Sequence, residues 1–235
     1  MLSGGMAHAA FGGIGMGYFL NIEPIIGALV FATVSSLGVV AIKEKSKASA
    51  DTIIGMFWTL GMALGIIFIS LTSGYPPDIS SYLFGDILTV SKMDLYIMGV
   101  LDCIVVFIVM GFFNYIKAYL FDKEFSDIIG INIKLIEYMV FLFIAFSVVV
   151  LIRVIGIMLV IALLTVPPAI SKLLTYNLRN IMGLSIIFGL LFSLLGLLLS
   201  YKLHIASGAT IIIVSVCAYI ISLVAIKLLK RDVIV

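Results

Sequence analysis

Long apolar stretches alternate with short polar or charged breaks along the whole chain. A helix that crosses a membrane needs about 20 mostly apolar residues, because each residue adds about 1.5 Å of length. Eight stretches are candidates for such helices, and they cover 5–20, 24–42, 52–73, 93–117, 134–152, 154–172, 180–201 and 208–229. The pattern predicts an all-α, polytopic membrane protein with about eight transmembrane helices, forming a single transmembrane domain over 1–235.

The first stretch is short and rich in glycine, with Gly12, Gly13, Gly15 and Gly17 inside it. Glycine is unfavourable in a water-exposed helix, but it lets membrane helices approach one another closely. We therefore expect this stretch to form an interior helix.

The fifth and sixth stretches are separated only by Arg153 and a turn near Gly156. Proline removes a backbone N–H and clashes with the preceding turn, so Pro167 and Pro168 predict that the sixth helix ends or bends there. Glu137 and Arg153 flank the fifth stretch near opposite interfaces, where a charged head that reaches toward water is the ordinary interpretation.

Basic residues gather on one side of the predicted membrane. Eleven of the fourteen lie on that side: Lys43, Lys45, Lys47, Lys117, Lys123, Lys134, Lys172, Arg179, Lys227, Lys230 and Arg231. Only Lys92, Arg153 and Lys202 lie elsewhere. Because basic loops favour the cytoplasmic face, both termini are predicted to be cytoplasmic, as an even number of spans requires.

Composition supports the same class of protein. Hydrophobic residues make up 63% of the chain and charged residues 11%, against about half and about a quarter in soluble domains, so lipid has to cover much of the surface. The net charge is only +2 and the basic residues are divided among several short loops between the spans, a pattern that does not indicate nucleic-acid binding. Cys103 and Cys217 lie in apolar stretches and predict neither a disulfide scaffold nor a Cys-x-x-Cys zinc site.

The outer side carries acidic groups in its loops and at the adjoining helix ends. They are Glu23, Asp78, Asp86 and Asp94, and His204 joins them. Acidic surface concentrates cations by electrostatic focusing, so the group predicts the outer mouth of a cation path. Solvation of a loop end is the alternative for any single acid.

Polar residues inside the apolar stretches are candidates for a metal pathway. His8 lies in the glycine-rich stretch, and Asp102 lies in the middle of the fourth stretch on nearly the same helix face as Asp94. Polar groups at membrane depth need a partner, water or a metal, and imidazole binds zinc, manganese or iron. The alternatives are a packing histidine bonded to a carbonyl and a structural hydrogen bond for Asp102.

One cytoplasmic segment, 121–131, is charged and apolar by turns. Asp122 can cap a short helix whose first turn holds Glu124, and Gly130 suits its C-terminal end. Apolar side chains would then be available for docking: Phe125, Ile128 and Ile129. The helix could dock into a partner's groove or form an interfacial linker, and the pattern alone favours neither.

Six segments spread over nearly the whole chain carry a recognisable pattern. They are MAHAAFGG at 6–13, ADTIIG at 50–55, SYLFGDIL at 81–88, FDKEF at 121–125 followed by GI at 130–131, LVIALLTVPPA at 159–169, and SGATI at 207–211. In this order they resemble the metal-type ABC permease family, the class that takes up zinc, manganese or iron.

The resemblance implies a permease of the prokaryotic plasma membrane that forms a dimer, binds cytoplasmic ATPase subunits and receives metal from an extracytoplasmic metal-binding protein. The divalent metal ion is then cargo, and no cofactor is expected. The sequence has no Gly-x-x-x-x-Gly-Lys-Ser/Thr loop, so ATP hydrolysis is expected on the partner and this chain is not an enzyme. On the family pattern, 121–131 is the coupling helix, and the residues expected to contact the ATPase are Phe121, Asp122, Glu124, Phe125 and Ile128.

The sequence departs from the family pattern at two points. The chain begins at the histidine-containing motif, so the family's first span is expected to be missing. The family commonly has an aspartate one helical turn before the histidine, and Gly4 stands at that position. A metal site at His8 would then need oxygen ligands from elsewhere, and Asp102 is the candidate.

An autonomous cation channel or a secondary transporter is the alternative function. Such a protein would need no coupling helix and would more often show inverted internal repeats, which the sequence does not show. A membrane-embedded zinc protease is disfavoured because the sequence lacks His-Glu-x-x-His.

Overall fold

The computed structural model describes residues 2–46, 48–72, 79–85, 90–121, 126, 128 and 130–231. Its helices are α1 (Leu2–Leu20), α2 (Pro24–Lys45), α3 (Ala50–Leu71), α4 (Ile79–Phe84), α5 (Lys92–Gly111), α6 (Phe113–Phe121), α7 (Ile133–Leu174), α8 (Leu178–Leu203) and α9 (Ser207–Arg231). No strand occurs among the described residues. The all-α prediction is confirmed.

Six of these helices are long and apolar enough to cross a membrane: α2, α3, α5, α7, α8 and α9. The 42 residues of α7 would extend about 63 Å if straight, about twice the hydrocarbon thickness of a bilayer. Gly156 interrupts α7 with a non-helical backbone, at φ 75° and ψ 164°. The polytopic membrane fold is confirmed, and the count of eight crossings and the cytoplasmic termini stay predictions.

The structure differs from two expectations about helix ends: α7 does not end at Pro167 and Pro168, where a bend stays a prediction, and the fourth span is interrupted. The backbone of α7 stays helical through Pro167 and Pro168 and continues to Leu174, because membrane helices can re-satisfy the backbone groups that proline frees. The predicted fourth span, 93–117, is divided at Phe112, whose backbone (φ −104°, ψ 16°) ends α5 before α6 begins.

The chain divides into two compact units, and the single-domain organisation stays a prediction. Unit 1 comprises Met1–Ile79 and Val90–Val154, and unit 2 comprises Ser80–Thr89 and Ile155–Val235. Unit 1 therefore holds α1, α2, α3, α5, α6 and the first arm of α7. Unit 2 holds nearly all of α4, the second arm of α7, α8 and α9.

In unit 1, α1 forms the interior and contacts both α2 and α3. Almost all of α1 from Gly4 to Gly17 is buried. A Cβ atom on Gly13 would lie 2.1 Å from the carbonyl oxygen of Gly27 in α2, and one on Gly15 would lie 2.5 Å from that of Gly65 in α3. The prediction of an interior helix is confirmed, because only glycine permits these backbone approaches.

In unit 2, glycines also allow close backbone contacts. Gly85 and Gly156 both have positive φ, and a Cβ on Gly156 would lie 2.3 Å from the backbone nitrogen of Gly85. A Cβ on Gly196 in α8 would lie 2.6 Å from the Cα of Ile211 in α9. The end of α4 therefore lies against the break in α7, and α8 and α9 form a closely packed pair.

Candidate metal pathway and ion-pair clusters

His8 lies in the interior of unit 1, with 7% of its surface exposed. Its ring stacks on Trp58 of α3, with 4.3 Å between ring centroids and 7° between planes. Its Nδ1 lies 3.3 Å from Sδ of Met62, one helical turn further along α3. The structure therefore places one imidazole and one thioether side by side, and the thioether is a soft, weak ligand.

Gly61 accounts for this proximity. A Cβ on Gly61 would lie 2.5 Å from Cα of Ala9 and 3.0 Å from the carbonyl oxygen of His8. The absence of that atom brings the His8 turn of α1 onto α3, which places Met62 beside the histidine. Trp58 and Met62 were not predicted from the sequence, because the Trp-x-x-Gly-Met run at 58–62 does not show which face of α3 meets the glycine-rich helix.

The structure does not bring Asp102 to His8. Asp102 is exposed in the middle of α5, a helix in which no residue is buried. Among the residues that the structure describes, no group of three or more His, Cys, Asp or Glu side chains could hold a metal ion. The expected pairing was wrong for a single copy of the chain, because α5 does not enter the interior.

Asp94 and Glu23, two predicted outer acids, converge on Arg153. The Nε atom of Arg153 lies 2.8 Å from Oδ1 of Asp94, and its Nη1 lies 3.7 Å from Oε1 of Glu23. Asp94 also completes a capping box at the start of α5: its N–H donates to Oγ of Ser91, and its Oδ2 accepts from the N–H of Ser91. We call Glu23, Asp94 and Arg153 the outer cluster, after the side of the membrane on which the sequence predicts them.

The outer cluster changes the interpretation of its residues. Arg153 is paired with two carboxylates and does not simply reach toward water, because it lies beside the start of α5 and the turn before α2. Its positive charge partly neutralises the acids that were predicted to attract cations. Of the other predicted mouth residues, His204 is exposed and ends α8 in a left-handed conformation (φ 54°, ψ 42°), whereas Asp78 and Asp86 lie outside the described residues.

A second cluster, the inner cluster, comprises Lys43, Tyr119 and Glu137. The Oε1 atom of Glu137 accepts hydrogen bonds from Nζ of Lys43 and from the hydroxyl of Tyr119, the latter at 2.9 Å. Glu137 is 7% exposed and Tyr119 6%, so Glu137 is buried and paired and the expected exposed position was wrong. Burial, then the hydrogen bond to Glu137 and its negative charge, raise the pKa of Tyr119, which keeps the phenol a proton donor.

The two clusters join α2 to the first arm of α7 at both ends. Glu23 immediately precedes α2 and Lys43 is near its end, about 30 Å away along the helix. Glu137 and Arg153 are about 24 Å apart along α7. The contacts show that α2 and the first arm of α7 run antiparallel. Because the spacings approach the thickness of the hydrocarbon layer, about 30 Å, two helices that cross a bilayer would place the clusters near its opposite interfaces.

The predicted coupling segment is described only in part. Phe121 ends α6 and is exposed, Ile128 is exposed, and Asp122, Glu124 and Phe125 lie outside the described residues. Gly130 has φ 80°, and the N–H of Ile131 donates to the carbonyl of Ser126 at 3.0 Å. This six-residue hydrogen bond next to a left-handed glycine is the Schellman ending of a helix, which agrees with the predicted C-terminal end.

A cavity of about 160 Å³ is lined by residues of α1, α2 and α3. Its lining includes Met16, Phe31, Phe57 and Gly61, with Ser35 as the hydroxyl group. An almost wholly apolar wall cannot replace the hydration shell of a divalent cation. This cavity is therefore not a metal conduit within one copy of the chain.

Residues 1–226 match the model of the ABC 3 transport family. An uncharacterized membrane protein of Synechocystis sp. is 39% identical over 222 residues, which cover 94% of this chain and 79% of that protein. The manganese transport system membrane protein MntC of Listeria monocytogenes is 30% identical, with the same coverage of both chains. A solved structure, PsaBC from Streptococcus pneumoniae in complex with Fab, has a TM-score of 0.80 at 27% identity, covering 94% of this chain and 79% of that one.

Proposed function

The chain belongs to the ABC 3 transport family, and we propose on this basis that it is the permease subunit of an ATP-driven importer of a divalent transition metal ion. The observation that carries the proposal is the similarity to a manganese transport system membrane protein over 94% of the chain. Manganese is therefore the first candidate cargo, and zinc and iron are the others.

His8 and Met62 support a role in conducting this cargo. A neutral imidazole can hold and release manganese, zinc or iron, and a thioether adds only a weak interaction. The pair lies in the interior of unit 1, and the described residues hold no group of three or more His, Cys, Asp or Glu side chains that would bind the ion more tightly. Weak coordination suits a path through which an ion must also leave.

Asp102 supports a second copy of the chain as a partner. An ionised carboxylate at the middle of a bilayer costs about 2.5–3.5 kcal/mol on insertion scales. In one copy the side chain of Asp102 is exposed in the middle of α5. A partner copy, or a water-filled path between two copies, would remove this carboxylate from lipid. Asp102 could then supply the oxygen ligand that Gly4 does not offer.

The remaining partners follow from the class of transporter. A cytoplasmic ABC ATPase would supply ATP hydrolysis and contact the 121–131 segment, and an extracytoplasmic metal-binding protein would deliver the ion to the outer side. The Schellman ending at Gly130 supports a short helix in this segment. Lipid surrounds the exposed apolar faces of the long helices.

The test is metal uptake by cells that carry or lack the gene for this chain. Manganese, zinc and iron accumulation are measured separately, first with the intact chain and then with His8→Ala. We expect one metal to depend on the chain and its uptake to fall in His8→Ala, with Cys217→Ala on α9, an exposed residue, as the control of equal expression. Equal accumulation of all three metals with and without the chain would contradict the proposal.

A further inference from the structure

The inner cluster is not used by the proposed ion path. Glu137 is a buried carboxylate that accepts hydrogen bonds from Lys43 and Tyr119. A buried ion pair is weak support for stability, because apolar side chains of the same volume are often as stable or more so. Its directional bonds fix the relative positions of the elements that carry them.

Those elements flank the predicted coupling segment. Tyr119 lies two residues before the end of α6 at Phe121, and Glu137 lies in the first turns of α7. The chain between the two helices is the 121–131 segment. The hydrogen bond from Tyr119 to Glu137 therefore joins the helix that precedes the segment to the helix that follows it.

Lys43 connects the Tyr119–Glu137 pair to the interior of unit 1. It lies in the last turn of α2, and α2 meets α1 through the close approach of Gly27 to Gly13. His8 is on α1, packed against α3. A movement of the 121–131 segment thus has a continuous set of packed and hydrogen-bonded contacts that leads through Glu137 and α2 to the helix that carries His8.

We infer that Glu137 is a positioning residue for energy coupling: it locks the two ends of the coupling segment to α2, so that a movement imposed by the ATPase reaches α1 and is not absorbed in the loop. Tyr119 and Lys43 hold its carboxylate in place. The inference rests on the proposed function, since it requires an ATPase that contacts 121–131.

The experiment measures metal taken up per ATP hydrolysed by the complex of this chain with its ATPase in proteoliposomes. Tyr119→Phe removes one hydroxyl and keeps the ring, and Glu137→Gln removes the charge. We expect metal per ATP to fall about fivefold or more, the size of a typical coupling between sites, while basal ATP hydrolysis is retained. The matched control is Tyr115→Phe, on an exposed tyrosine of the same helix, which should leave the ratio unchanged.

A charge exchange adds a rescue test. Lys43→Glu alone and Glu137→Lys alone leave two like charges together, and the double exchange restores an ion pair with the opposite polarity. We expect the double variant to recover a higher ratio of metal to ATP than either single variant. A purely structural role would lower the amount and melting temperature of the complex but leave the ratio of metal to ATP unchanged.

The outcomes separate this inference from the proposed function. An unchanged ratio in both Tyr119→Phe and Glu137→Gln, with an intact complex, overturns the role of Glu137 and leaves the permease function in place. If Glu137→Gln fails to assemble, Tyr119→Phe decides alone. Failure of the unaltered chain to bind an ATPase, or to take up metal at its expense, overturns the proposed function and this inference with it.

Discussion

The helices α1 and α5 are alike in length, 19 and 20 residues, and differ in almost everything else. Thirteen residues of α1 are buried, whereas α5 has none. Yet α5 is among the helices apolar enough to cross a membrane and α1 is not. Lipid is as apolar as leucine, so hydropathy does not decide which helix lies in the interior. Side-chain size decides it, because small residues allow helices to pack closely.

The largest effect should come from filling a glycine contact of α1. In Gly13→Ala the new Cβ would lie 2.1 Å from the carbonyl oxygen of Gly27, and backbone on both sides cannot move aside as a side chain can. We expect a loss of about 3 kcal/mol or more, seen as little folded protein in detergent by size-exclusion chromatography.

The matched control for Gly13→Ala is Gly99→Ala on α5, where nothing lies within 4 Å of the added Cβ. The same replacement should be neutral there or stabilise the helix by up to about 1 kcal/mol, because alanine is the better helix former. Equal melting temperatures for the two variants would show that α1 is not the interior helix.

A smaller effect is expected where α1 meets α3 at the histidine. In Gly61→Ala the Cβ would lie 2.5 Å from Cα of Ala9, which should cost about 1–3 kcal/mol and move Met62 away from His8. Gly55→Ala on the same helix meets nothing within 4 Å. Melting temperature and metal uptake should both fall in the first variant only, and retained uptake would argue against the pairing of Met62 with His8.

A still smaller change in stability is expected at Asp102 on the exposed helix α5. If α5 faced only lipid, Asp102→Leu would stabilise the protein by about 2.5–3.5 kcal/mol. We expect a much smaller gain together with reduced metal uptake, because the carboxylate should face water or a second copy. Cys103→Leu, the exposed neighbour, is the control. A large gain in melting temperature with normal uptake would make Asp102 a lipid-facing residue without a transport role.

The sequence predicted the class of fold because polar and charged breaks separate long apolar stretches, and the glycines inside α1 identified the interior helix. It did not predict the partners of His8. Apolar periodicity does not say which face of α3 meets α1, so Trp58 and Met62 were indistinguishable from ordinary packing residues. The structure supplied them through one close contact at Gly61.

For the charged residues, the sequence predicted where each lies along its helix but did not predict which residue it pairs with. Arg153, Glu137 and Asp94 were each assigned a solvent or cation partner because one-dimensional spacing cannot show which distant residue lies opposite. Arg153 and Asp94 are far apart in sequence and meet at 2.8 Å. Ion pairs between elements require the tertiary arrangement, and this is the part of the candidate site that the sequence could not provide.

The smallest effects should come from the outer cluster, where the turn before α2 and the start of α5 meet at Arg153. Glu23 lies 3.7 Å from the guanidinium and its side chain is 59% exposed, whereas Asp94 lies at 2.8 Å and is 12% exposed. Glu23→Gln should therefore cost no more than about 0.5 kcal/mol, because exposed pairs contribute little. Asp94→Asn keeps an oxygen for the capping box but loses the closer ion pair, so we expect a loss of up to about 1 kcal/mol.

Melting temperatures of both variants, measured at about 0.1 M and about 1 M salt, check this prediction. The Debye length shrinks from about 10 Å to about 3 Å over this range, so the difference in melting temperature between the variants should narrow. A cost for Glu23→Gln that equals or exceeds that of Asp94→Asn would contradict the asymmetry of the cluster.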